Sequence, residues 1–225
     1  SAPSLDYPID LNLVKKYYNV TDDPKKADFA IVFVSSPYSN NDGGGYDIND
    51  RKEGGNGYVP ISLQYGTYTA TDAREHSIAA GDPVIDPTIK DRSYKNKTVT
   101  ASNTMDLSTI LTTKNQMGDK PVVVVANVTR PMIFNEFEHR VDGILVRFGI
   151  GEQAVMDIIS GKYEPSGLLP VQMPANMSTV EKQKEDVPYD MECHKDTEGN
   201  VYDFGYGLNW KGVIKDARTT KYGKK

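Results

Sequence analysis

The chain has 225 residues, 38% hydrophobic and 25% charged, a composition that excludes disorder and allows one large domain or two small ones. A net charge of −5, with no block of like charge outside Lys221, Lys224 and Lys225, argues against nucleic acid as the main partner, which requires clustered Lys or Arg. No apolar run approaches the ~18–20 residues that span a bilayer, and the single cysteine, Cys193, excludes an internal disulfide and a thiolate zinc cluster.

Leu11, Val14, Tyr17 and Tyr18 fall at helical spacing, and Asp10 is placed to cap a helix over 11–18. Phe29-Ala30-Ile31-Val32-Phe33-Val34 is apolar throughout, the pattern of a parallel strand buried on both faces. Residues 38–57 then hold six glycines, four acidic side chains and two tyrosines. Ligands of open parallel sheets bind beyond the carboxyl ends of strands, so this loop is the first candidate for function. Tyr58–Leu63 reads as extended, and Thr71–Gly81 as a helix capped by Thr71 or Asp72 and stopped by Gly81. Residues 82–101 have no sustained period, and loops of that length are usually functional or mobile. Ser102-Asn103 caps a helix with Leu107, Ile110 and Leu111 on one stripe, ending near Gly118. Two further strands follow, at 121–127 and 143–148, with a short helix expected from Pro131 to Phe137 between them. A helix from Glu152 to Ser160, closed by Gly161, completes an alternation of strand and helix. The expected fold is α/β: a mostly parallel sheet with helices on both faces, a three-layer α/β/α sandwich.

Several familiar chemistries fail on spacing. Gly149-x-Gly151-x-x-Ala154 approaches the dinucleotide fingerprint but follows the third strand, not the first, and no acid answers it about twenty residues later. Asp47, Asn49 and Asp50 alternate faintly like a calcium loop, but Arg51 stands where the third ligand belongs. His76, His139 and His194 have no ligand spacing, so neither a metal nor another cofactor is expected. No serine occupies a G-x-S-x-G elbow. Carboxylate chemistry remains, of the kind in which two carboxyl groups flank a glycosidic bond. Residues 42–53 can supply one of them.

From Pro121 onward the chain resembles the C-terminal α/β sandwich domain of glycoside hydrolase family 3 β-glucosidases. The similar stretches are PVVVVANVTRPMIF, then DGILVRFGIGEQAVMDIISGKYEPSGLLPVQMP, then VYDFGYGLNW. The combination of Pro165-Ser166-Gly167-Leu168-Leu169-Pro170 with Phe204-Gly205-Tyr206-Gly207-Leu208 is specific where either alone is not. Ala27–Val34 is similar to a strand of the family as well, and the residues before Asp28 supply no obvious first sheet strand. Gln153 and Ala154 stand where the family's turn carries paired glycines.

The resemblance implies one domain over 1–212 with a tail at 213–225. In the family the nucleophile is an aspartate on a preceding (β/α)8 barrel, which alone takes ~250 residues, so this chain is expected to be one domain of a larger enzyme and inactive by itself. The implied reaction is retaining hydrolysis of a β-linked glycoside, with the barrel as partner and a secreted or periplasmic location. A loop glutamate acts as acid/base in the family, and the similar region here is 45–53. Glu53 is therefore the candidate acid, with Asp50 and Asp47 behind it, and Tyr46, Arg51 and Tyr58 are the candidate substrate contacts. The acid is expected to have a raised pKa. The loop would then overhang a site whose floor lies in the barrel. The alternative is a non-catalytic sugar-binding or interaction module of the same fold.

Overall fold

A computed structural model describes residues 7–39, 46–77, 84–88, 90–184 and 187–222. Gly43–Gly45 of the acidic loop and Gly81, the expected helix stop, lie outside the described residues.

The centre is a parallel three-stranded sheet in the order β1-β4-β5, formed by Ala30–Ser35, Val122–Asn127 and Gly143–Arg147. Ala30 pairs with Val122 and Ser35 with Asn127, and Val123 then pairs with Gly143 and Asn127 with Arg147. All three strands therefore end at one edge. Side chains alternate across a strand. On β4, Val122, Val124 and Ala126 enter a core with Ile110 and Met117 of helix α3 (the fourteen-residue Thr104–Met117), while Val125, facing the other way, is also buried. Burial on both faces is what the unbroken apolar runs predict. The helical layers are α3, packed on β1 and β4, and α4, Glu152–Ile159, whose Val155 and Met156 are fully buried. Asp157 of α4 accepts a hydrogen bond from Tyr17 at 2.6 Å, tying down the segment that follows the short helix α1, Leu11–Val14. That helix is capped by Asp10 and is shorter than the expected 11–18.

Two expected helices do not form. Over 71–77 the chain makes turns, because its polar side chains are bonded elsewhere: Asp72 accepts from Ser178, and Asp91 accepts from the Ser77 amide and pairs with His76. Side chains that bond so compete with a helix for the local backbone. Residues 131–134 are extended, since the Ile133 amide donates to the Leu63 carbonyl, and Met132, Ile133, Phe134 and Phe137 are all fully buried. A stretch with no solvent face suits no amphipathic helix. A 3-10 turn at Glu138–Arg140 leads into β5.

The excursion at 58–101 is a satellite of the sheet. Tyr68–Thr69 (β2) and Thr98–Val99 (β3) form a two-stranded hairpin, and Tyr68, Ala70, Ala73 and Val99 pack on Ile133 and on Met177 of helix α5, Met177–Lys182. The two stretches that carry the family resemblance meet in space: Leu169 N donates to Tyr206 O at 2.7 Å and Gly205 N to Leu169 O at 2.8 Å. A side chain at Gly207 would run into the Gly167 carbonyl, so glycine is required there by close approach. Residues 213–222 are joined to this region through a hairpin of Leu208–Asn209 (β6) and Gly212–Val213 (β7), buried Ile214, and Arg218 of helix α6, Ala217–Tyr222, which donates to Ser166 O at 2.9 Å.

Candidate functional site

The site is built from the carboxyl edge of the sheet and the loop that leaves it. At that edge Asn103 bridges backbone on both sides, donating to Ser35 O at 3.2 Å and accepting from Tyr38 N at 3.0 Å. Asp106, in the first turn of α3, accepts from Ser35 N at 3.0 Å. Tyr65 closes the arrangement from beneath, its hydroxyl donating to Ser35 O at 2.6 Å. Tyr65 is fully buried, and burial pushes its phenol well above the usual range. Glu136 holds the same turn by accepting from the amides of Tyr65 and Gly66 at 2.7 and 2.8 Å.

Beyond this frame the loop forms a one-and-a-half-turn helix, α2, Ile48–Lys52. Helices this short are not stable by themselves, and α2 is held by side chains at both ends. Asp47 caps it, accepting from Asn49 N at 2.8 Å, while the Asp47 amide donates to Gly57 O at 2.6 Å. Asp50 Oδ2 accepts from Lys97 Nζ at 2.6 Å and from Gly57 N at 2.7 Å. Lys97 also donates to Asn56 Oδ1 at 2.7 Å, and Asn56 Nδ2 donates to the carbonyls of Asp91 and Ser93. A side chain at Gly55 would overlap the Asp50 carboxylate. Arg51 reaches back to Gly55 O at 3.3 Å. Tyr46 and Tyr58 pair across an isolated bridge with their rings edge to face, 5.6 Å apart, and the Arg92 guanidinium lies 5.6 Å from the centre of the Tyr58 ring.

All six candidate residues thus belong to one small unit, but the three carboxylates are not equivalent. Burial by itself would raise the Asp50 carboxyl, yet the Lys97 and Gly57 hydrogen bonds and the Lys97 charge outweigh it and hold the group below its ordinary value. A proton donor needs the opposite shift, so the Lys97 and Gly57 contacts suit Asp50 to anchoring the helix rather than to donating a proton. Asp47 is engaged as the helix cap. Glu53, at the C-terminal end of α2, is exposed and has no side-chain hydrogen bond or ion pair among the described residues. Among the described carboxylates of the loop it is the one without a partner. Spacing did not reveal Lys97, Asn56 or Arg92, because Lys97 lies 47 positions from Asp50 and ion pairs leave no period in a sequence.

The same edge of the sheet exposes Tyr38, Met105 at the start of α3, and Phe148 and Ile150 after β5, with Met105 at 70%. Arg147, the last residue of β5, has its Nε enclosed without a hydrogen-bond partner among the described residues. Among the described residues no three His, Cys, Asp or Glu side chains come together as a metal site requires, and no helix is long and apolar enough to cross a membrane.

Residues 14–210 match the family model described as the glycosyl hydrolase family 3 C-terminal domain. Among curated proteins, the chain is 25% identical over 193 residues to a probable beta-glucosidase C of Aspergillus flavus, covering 86% of this chain and 22% of that protein. It is 32% identical over 91 residues to the beta-glucosidase C of Emericella nidulans, covering 40% of this chain and 14% of that one. A periplasmic beta-glucosidase/beta-xylosidase of Dickeya chrysanthemi is 26% identical over 88 residues, 39% of this chain and 12% of that protein. The chain spans less than a quarter of the length of these relatives.

Proposed function

The chain belongs to the glycosyl hydrolase family 3 C-terminal domain family, and on that premise we propose that it is the acid/base domain of a retaining β-glycosidase, acting on a β-linked glucosyl or xylosyl residue. One domain, spanning 1–212, would carry this role. The observation that carries the reading is the division of labour in the loop: Asp47 and Asp50 build the platform and Glu53 stands free at its end. A carboxyl group so placed protonates the leaving glycosidic oxygen, then removes a proton from the water that attacks the covalent intermediate. The nucleophile belongs to a barrel domain on the other side of the substrate. Glu53 is exposed in this chain, so the barrel would have to supply the cover that excludes water from the acid. Tyr38, Met105, Phe148 and Ile150 are the apolar surface against which the barrel would close. Tyr46, Tyr58, Arg51 and Arg92 belong to the same unit and would serve as ring-stacking and hydroxyl-binding groups. Relatives named as periplasmic enzymes support a secreted or periplasmic location.

The test is Glu53→Gln in the full-length protein that carries this chain, assayed on aryl β-glucosides. The expected loss in kcat/KM is about 10²–10⁴-fold on poor leaving groups and far smaller on activated ones, on which azide should restore turnover by attacking the glycosyl-enzyme to give the β-glycosyl azide. Unchanged hydrolysis of poor leaving groups removes Glu53 from the role. A parent protein without any glycosidase activity, but with sugar affinity, points to the binding-module alternative.

A further inference from the structure

Lys97 sits at the entry to β3, at the far end of the long excursion, and its ammonium group joins three separate pieces of chain. It donates to Asp50 on α2 at 2.6 Å and to Asn56 at 2.7 Å, while the same Asp50 oxygen accepts from Gly57 at 2.7 Å. The pair is largely withdrawn from water, with side-chain exposures of 24% for Lys97 and 21% for Asp50. Charges in that setting are coupled more strongly than surface pairs, and removal of one partner leaves the other uncompensated.

Asp50 and Glu53 are three residues apart, on adjacent corners of one helical turn. With α2 only five residues long, the helix has no rigidity of its own. The Asp50 carboxylate fills the space that a side chain at residue 55 would occupy, so glycine there is what admits the pair with Lys97. We propose that Lys97 is a positioning residue: by gripping Asp50 it fixes the rotation of α2, and so fixes where the Glu53 carboxyl is presented. The inference rests on the reading of Glu53 as acid/base. It also gives the excursion at 58–101 a task, since the hairpin it contains brings Lys97 to the loop.

A strut that only stabilises the fold and a strut that aims the acid differ in one observable. Loss of stability scales the rates on all substrates alike, whereas a misplaced acid is felt only where the leaving group needs a proton. The experiment compares Lys97→Met, Lys97→Cys and Glu53→Gln in the full-length protein, on aryl β-glucosides with good and poor leaving groups, with thermal melts to confirm folding. Lys97→Met should lower kcat/KM about 10–100-fold on poor leaving groups and less than about threefold on good ones, as expected for a displacement of about 1 Å. Alkylation of Lys97→Cys with bromoethylamine, which restores an ammonium group at the end of a stem of lysine's length, should recover most of the loss. The thiol within this chain, Cys193, is buried, and alkylated wild type controls for it and for thiols elsewhere in the full-length protein. Where Lys97→Met does not fold, the alkylated and unalkylated forms of Lys97→Cys make the same comparison. Equal losses on both classes of leaving group overturn the proposal. So does a flat Lys97 series beside a steep Glu53→Gln response, which leaves the functional reading standing. A flat Glu53→Gln response removes both, since no acid is then present to be aimed.

Discussion

The parallel sheet and the α2 loop are held together by different physics. Around β4, Val122, Val124 and Ala126 are fully buried and touch Phe134, Phe137, Met132 and Met173, so the sheet rests on apolar burial and close packing. None of α2 is buried. It stands on a cap, one ion pair and a few backbone amides held by side chains. Burial is shared among many neighbours and has no direction, which suits a scaffold. Hydrogen bonds and ion pairs have direction and depend on single atoms, which suits the placing of one carboxyl group to a fraction of an ångström.

The comparison can be broken at either end. The largest effect should come from Phe134→Ala, which opens a hole where the 132–137 segment meets the sheet and should cost about 3–5 kcal/mol of stability, read from the urea midpoint. A cost under about 1 kcal/mol would mean that burial is not what holds the sheet. Gly55→Ala should be milder, about 1–3 kcal/mol for a side chain forced into filled space, and its signature is local. The Asp50 carboxylate must leave Gly57, so hydrogen exchange at the Gly57 amide should accelerate while amides of β4 keep their protection. Uniform acceleration would show that the loop and the sheet unfold as one.

Acid separates the two regions more gently. His194 is buried, and burial lowers its pKa below the ordinary 6.5 even though Glu138 Oε2, 3.5 Å away and not aligned for a hydrogen bond, pulls it upward. The fold thus favours the neutral imidazole. The stability tied to it is complete above pH 6.5 and declines as pH falls below that value, where the unfolded chain takes up the proton first. Asp50 is also lowered, from 3.8, so its contribution is complete above that value and is lost only as pH falls beneath it. Melting temperature followed from pH 8 to 3 should therefore begin to fall before the Gly57 amide loses protection. The reverse order would contradict the assignment of His194 to the core and Asp50 to the loop.

Expectation and structure part at identifiable residues. The apolar runs at 29–34 and 121–127 could only be buried strands, and Gly161 closes α4 with φ +74° where a helix stop was expected. Asp72 and His76, by contrast, looked like the start of a helix because nothing near them in the chain shows Ser178, Lys182 or Asp91 waiting as partners. The loop's acidic and aromatic residues stood out as a group from composition and from the resemblance at 45–53, and the structure brings them together. Their separate tasks did not stand out.

By itself, then, the sequence determined the α/β class, the main strands, helices α3 and α4, and the family, because periodicity and turn residues act over a few neighbouring positions. The family motifs at 165–170 and 204–208 were legible for the same reason, although only the structure shows that they pair through Leu169, Gly205 and Tyr206. Among the described loop residues, the tertiary structure alone decided which carboxylate has no partner. Asp50 differs from Glu53 through an ammonium group 47 residues away, and a Coulomb interaction depends on distance through space, which no local pattern records.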